Sequence, residues 1–174
     1  MRHIISVLVE NEFGVLARVS GLFSCRGFNI ESLCVAETMD PSVSRITLVT
    51  RGDDRVITQV EKQLNKLINV IRVRDVNGPA HVERELVLIK VAIDADKNSA
   101  VSAAAEACQG RIIDRSPTAW VIEMTGAEGQ IAALIERLQP IGILEIARTG
   151  RVAMSRGAAV LAVDTDEQNE GHAA

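Results

Sequence analysis

The hydrophobic pattern of this chain runs through one order of elements twice, once on each side of Asn77-Gly78-Pro79, and this constrains its fold more than any single motif. Asn, Gly and Pro in succession resist regular structure, so the break between the halves falls there. In the first half Ile4 to Val9 is rich in β-branched residues and loosely alternating, which predicts a strand. Asn11-Glu12-Phe13-Gly14 interrupts it. From Val15 the period lengthens: Val15, Val19, Leu22 and Phe23 form a helical stripe with Arg18 and Arg26 off it, and Gly27 is the natural stop. Ile30 to Ala36 and Ser44 to Thr50 read as strands joined by a turn at Asp40-Pro41. Gly52-Asp53 opens a second helix with Ile57, Val60, Leu64 and Leu67 inward, and Val70 to Val76 closes the half as a strand.

Past the break the order recurs. Leu86 to Ile93 predicts a strand, Lys97 to Cys108 an Ala-rich helix ended by Gly110, and Arg111 to Asp114 with Ala119 to Met124 a strand pair around Ser116-Pro117. Gly129 to Leu138 predicts a helix stopped by Pro140, and Ile141 to Ala147 a final strand. Two βαββαβ units imply an α+β chain of two tandem ferredoxin-like domains, each a four-stranded antiparallel sheet with two helices on one face. The expected division is 1–77, a linker at 78–80, a second domain at 81–157, and an acidic tail from 158 to 174 that is expected to be disordered. The other sheet face of the first unit is expected to lie bare and to carry alternate residues such as Leu33, Val35, Ile46 and Leu48 or their neighbours. A bare apolar face or an unpaired edge strand invites a second copy of the chain.

Charge and aromatic content exclude several functions. The net charge of −4 resides in the stretch from Asp164 to Ala174, which leaves the rest balanced between 19 basic and 19 acidic residues. Phe13, Phe23, Phe28 and Trp120 are the aromatics of a chain without tyrosine. A nucleic-acid partner needs a basic surface, and single strands need stacking rings, so none is expected; this also argues against an RNA-recognition module of the same element order. Cys25, Cys34 and Cys108 are odd in number and lack Cys-x-x-Cys spacing, which disfavours a disulfide framework or a zinc site and points to a cytoplasmic protein. The apolar run that Glu10 ends is too short for a membrane span, so no membrane is expected.

Catalytic chemistry is hard to find. His3, His81 and His172 have no evident Ser or Cys partner and are read as solvated, and Glu83-Arg84-Glu85 reads as surface charge. No catalytic or metal-ligating set is assigned, and Gly14, Gly21 and Gly27 lack phosphate-loop spacing. The loop Asn11-Glu12-Phe13-Gly14-Val15-Leu16 is different. A glycine between strand and helix can take positive φ, and the N–H groups of Gly14, Val15 and Leu16 suit one carboxylate. Asn11 can offer an amide oxygen to an ammonium group, and Asn29, after Gly27, a second polar contact. An α-amino acid needs this combination, although a capped strand-to-helix turn explains the same pattern.

The run Asn11 to Val19, then Gly21-Leu22-Phe23-Ser24, then Arg26 to Leu33, resembles the regulatory (small) subunits of acetolactate synthase, also called acetohydroxyacid synthase. Ser44-Arg45-Ile46-Thr47 and His81 to Leu86 are similar to further signatures of that family, and the likeness runs from about Arg2 to Gly157. The resemblance implies an ACT domain followed by the family's C-terminal ferredoxin-like domain. It implies a non-catalytic subunit that binds and activates a catalytic large subunit using thiamine diphosphate, Mg²⁺ and FAD, with no cofactor on this chain. It further implies feedback inhibition by valine, or in some members leucine or isoleucine, held between two ACT domains of a homodimer. Carried over, Asn11, Gly14, Val15 and Leu16 would come from one chain and Asn29 and Ile30 from the other. Phe13, Cys25 and Cys34 depart from the family's usual residues. A free-standing ACT-type sensor serving another enzyme or a transcription factor is the alternative.

Overall fold

The computed structural model describes residues 1–77, 81–94 and 96–163. The expected linker at 78–80 and the tail from 164 onward lie outside the described residues. Two compact units emerge: Met1–Val82 together with the stretch beginning at Ala153, and Glu83–Val152.

The first unit contains β1 (Arg2–Glu10), α1 (Val15–Cys25), β2 (Ile30–Glu37), β3 (Val43–Arg51), α2 (Asp54–Leu64) and β4 (Val70–Asp75). Its sheet is antiparallel in the order β2-β3-β1-β4. The pairings Ile5↔Leu48 and Val7↔Ile46 line up apolar side chains on the helix side, where Val15, Val19 and Phe23 of α1 and Ile57, Val60 and Leu64 of α2 complete the core. Helix α1 stops as its sequence suggests. Gly27 takes φ 69°, its N–H reaches the Ser24 carbonyl, and the Phe28 N–H reaches the Phe23 carbonyl, with the two phenyl rings edge to face at 6.1 Å. Asp53 caps α2 by accepting from the Val56 N–H at 2.8 Å. Leu67 lies beyond the end of α2 and still packs against the core.

The outer sheet face carries the neighbours of the four residues named for it, and it is not bare. Leu33 pairs with Leu48 and Val35 with Ile46, so all four sit on the helix side. The opposite face carries Ile4, Ser6, Leu8, Thr47 and Val49, and these are buried. Ala153 joins Ile4, Val49 and Val76 in a second apolar cluster, and Arg45 Nη2 donates to the Ala153 carbonyl (2.7 Å) and to Ser6 Oγ (3.1 Å). Strand β1 is buried without interruption from His3 to Val9, the signature of a strand covered on both faces. His3 is likewise not solvated: it is 7% exposed, with Nδ1 3.1 Å from Asp75 Oδ2. Burial of Arg45, with Arg74 nearby, draws its guanidinium pKa downward.

The second unit uses β5 (His81–Ala92), α3 (Asn98–Ala107), β6 (Arg111–Arg115), β7 (Ala119–Gly126), α4 (Glu128–Leu138) and β8 (Ile143–Arg148), in the sheet order β6-β7-β5-β8. Its core joins Val87, Ile89 and Val91 of β5 to Trp120, Ile122 and Met124 of β7 beneath α3 and α4. A short strand, β9 (Val152–Ser155), pairs with β5 and was not expected. Strand β5 starts five residues before its apolar run, and Glu85 in that polar prefix is buried rather than surface charge. Arg148 donates to both of its carboxylate oxygens at 2.7 Å, which raises the Arg148 pKa. The three cysteines are free thiols. Among the described residues no helix is long and apolar enough to cross a membrane.

Candidate functional site

The loop between β1 and α1 is held from three directions. Beneath it, Asn69 is 7% exposed, and its carbonyl accepts from the Glu10 N–H at 2.9 Å. Asn69 Nδ2 donates to Glu10 (2.5 Å) and Glu12 (3.5 Å), and its Oδ1 accepts from Arg18 of α1. From the side, the β2–β3 hairpin tip grips Asn11, whose backbone N–H donates to the Ser42 carbonyl at 2.7 Å. Asn11 Nδ2 donates to Glu37 Oε1 at 3.1 Å and to the Pro41 carbonyl at 2.9 Å. The tip is itself braced: Asp40 Oδ1 accepts from the Ser42 N–H (2.9 Å) and Oγ (2.7 Å), which lowers the Asp40 pKa.

Gly14 forms the N-terminal boundary of α1 at φ 82°, ψ −6°, in the left-handed region that glycine occupies without penalty. No side chain caps the helix start, and the Val15 N–H makes a long contact of 3.4 Å to the Glu12 carbonyl. The Gly14 and Leu16 N–H groups are thereby left to water or to a bound group. A Cβ built on Gly14 meets nothing within 4 Å, so space opens directly over the backbone. Val15 is buried in the core and offers only its backbone here, whereas Leu16 is 43% exposed. Phe13, Val35 and Met39 add exposed apolar surface on the loop, on β2 and on the hairpin tip.

Asn29 and Ile30 are elsewhere. Ile30 pairs with Thr50, which pairs with His3 at the start of β1, and Thr50 Oγ1 donates to the Asn29 carbonyl at 2.7 Å. Glu37, at the other end of β2, pairs with Ser44 opposite Val9, beside Asn11. At about 3.3 Å per strand residue the two ends of β2 lie roughly 23 Å apart. The chain therefore brings Asn11, Gly14, Val15 and Leu16 together and leaves Asn29 and Ile30 at the opposite end of the sheet. Strand β2 is the sheet edge, and an antiparallel copy added along it would set the Asn29 end of that copy beside the Asn11 end of this one.

Sequence reasoning missed Asn69, Glu37 and Pro41. Their roles come from tertiary pairing, and only the placement of Glu37 at the end of the edge strand could have hinted at a contact. In the second unit, a cleft of about 270 Å³ lies among Glu128, Ala132, Ile135, Glu136 and Arg148, and one of about 220 Å³ adjoins Cys108, Gln109 and Arg137. Neither contains a residue expected to bind a ligand.

Family models match both parts of the chain. Residues 5–72 match an "AHAS small subunit-like ACT domain" and residues 84–157 match "Small subunit of acetolactate synthase". A probable acetolactate synthase small subunit of Methanothermobacter thermautotrophicus is 51% identical over 156 residues, covering 89% of this chain and 93% of that one. The small subunit of acetolactate synthase isozyme 3 of Escherichia coli is 46% identical, with 90% and 97% covered. The crystal structure of an acetolactate synthase small subunit from Thermotoga maritima superimposes with a TM-score of 0.85 at 42% identity, covering 91% of this chain and 99% of that one.

Proposed function

The chain belongs to the family of acetolactate synthase small subunits, the regulatory subunits that carry an ACT domain, and from that premise we propose that its first unit is the enzyme's amino-acid sensor. It binds a branched-chain amino acid, valine first, and transmits the binding to a catalytic large subunit that it activates. Thiamine diphosphate, Mg²⁺ and FAD belong to that partner, and this chain carries neither a cofactor nor a catalytic residue of its own.

The observation that carries this reading is the pairing of uncapped N–H groups at Gly14 and Leu16 with an Asn11 amide whose nitrogen is already committed. The N–H groups suit a carboxylate, aided by the positive end of α1, and the Asn11 oxygen suits an ammonium group. Leu16 offers an apolar wall. Asn29 and Ile30 of a second copy, paired antiparallel along β2, complete the site. A ligand shared by two chains favours one relative placement of those chains over another. Only such a difference in affinity lets it shift the holoenzyme between active and inhibited states.

Calorimetric titration of the full chain with L-valine, and with D-valine as control, tests the reading. Gly14→Asp sets a carboxylate where the ligand carboxylate belongs. Open space surrounds the position, and aspartate tolerates left-handed backbone at a cost of about 1 kcal/mol, so the variant folds. Stereoselective heat in the parent and none in the variant, with activation of the large subunit retained, is the expected result. Full valine inhibition of a holoenzyme containing Gly14→Asp rules out this site.

A further inference from the structure

Asn11 could present either end of its amide to a ligand, and an ammonium group can be recognised by only one of them. The hydrogen-bond geometry points to Glu37 as the residue that decides which, and we infer that Glu37 is a positioning residue that turns the Asn11 carbonyl oxygen toward the ligand's α-ammonium group. This rests on the proposed sensor function. Nδ2 of Asn11 carries two hydrogens, and two acceptors meet it: Glu37 Oε1 at 3.1 Å and the Pro41 carbonyl at 2.9 Å. With both hydrogens engaged, Oδ1 is the end of the amide left to accept from a ligand. Flipping the amide would set Oδ1 against a carboxylate and a carbonyl, two acceptors with no proton to share, so the flipped state is disfavoured. The Asn11 backbone is independently fixed to the Ser42 carbonyl at 2.7 Å, which leaves side-chain rotation as the remaining freedom. Glu37 ends β2, the edge strand along which the second copy is proposed to pair, so docking of that copy also bears on the residue that orients the amide.

The test compares L-valine with 3-methylbutanoate, which has the same carboxylate and side chain but no ammonium group, by titration of the full chain. Glu37→Ala is expected to weaken L-valine by about tenfold while leaving 3-methylbutanoate unchanged, as loss of one hydrogen-bond orientation requires. Glu37→Gln keeps an oxygen acceptor at the same place and is expected to stay within about threefold of the parent for both ligands. Without ligand, the Asn11 side-chain amide protons should exchange faster in Glu37→Ala than in the parent. If Glu37→Gln weakens L-valine as much as Glu37→Ala, direct charge attraction acts instead of positioning and the inference is overturned. Asn11→Ala separates the levels. If it loses the preference for L-valine while Glu37→Ala keeps it, Glu37 has no positioning role and the sensor site stands. If Asn11→Ala keeps the parent's preference for L-valine over 3-methylbutanoate, or the parent itself shows none, the sensor site and the role of Glu37 both fall.

Discussion

Replacing Asn69 with alanine should loosen the β1–α1 loop without unfolding the chain, and the size of the effect can be worked out from its surroundings. The side chain makes contacts with Glu10, Glu12 and Arg18, two of them charge-assisted acceptors and one a charged donor. Counted separately, three such bonds would total several kcal/mol. That sum is too large, because Glu10, Glu12 and Arg18 are exposed and regain water when Asn69 leaves, so no charge is stranded. The backbone bond from the Glu10 N–H to the residue-69 carbonyl survives the substitution. What remains is a small cavity and the loss of a buried amide, about 1–2 kcal/mol in all. Trp120 lies in the second unit and cannot report this change, so the assay is urea unfolding followed by far-ultraviolet circular dichroism, together with amide exchange along residues 10–18. Faster exchange in that segment, with β3 and α2 unchanged, is the expected pattern. Asn69→Asp keeps an acceptor for Arg18 but opposes a carboxylate to Glu10 and Glu12. It should be less stable than Asn69→Ala at pH 7, and the difference should shrink at high salt, which screens like-charge repulsion. A loss above about 4 kcal/mol in Asn69→Ala, or unaltered exchange at residues 10–18, would refute the resolvation argument.

Two further outcomes follow from charges held in place. The Asp40 pKa is depressed by the Ser42 hydroxyl and N–H, so Asp40 supports the hairpin tip above its unfolded pKa, and that support is lost as pH falls through the lower folded value; the protection of the Ser42 amide, relative to an unstructured amide at the same pH, should fall over that range, and Asp40→Asn should remove that dependence. Arg148→Met leaves Glu85, 5% exposed, without its bidentate partner and should destabilise the second unit by about 2–3 kcal/mol by Trp120 fluorescence. The double variant Arg148→Met, Glu85→Leu should recover most of that loss, and failure to recover it would mean that the loss does not come from stranding Glu85.

The halves of this chain are legible in its sequence because their helices carry period-3.6 stripes and their strands are bounded by Gly, Pro, Asn and Asp. Gly27 announces the end of α1, and Asp53 the start of α2, through backbone rules that act locally. Which face of a strand points inward is a different matter. Alternation fixes only that Leu33, Val35, Ile46 and Leu48 share a face, and in β1 both faces are apolar, so the assignment awaits knowledge of what covers each side. The same limit hid Glu85, whose burial depends on Arg148 sixty-three residues away, and β9, whose four residues are too few for a periodic signal. At the candidate site the loop glycine and Asn11 are visible because turn chemistry is local. Asn69, Glu37 and Pro41 support that loop only after the sheet has formed, and no spacing between them encodes it.

The first unit is built from two stretches of chain, with Glu83–Val152 synthesised between them. A ribosome adding about 5–20 residues per second needs roughly 4–14 s to cross those seventy residues before Ala153 exists. During that interval the helix side of the first sheet can form, while Ile4, Val49 and Val76 still lack the residue that later joins their cluster. The unit that begins first is thus the one completed last. A chain released early, or clipped between Val82 and Ala153, would carry an apolar sheet face open to whatever hydrophobic surface it meets.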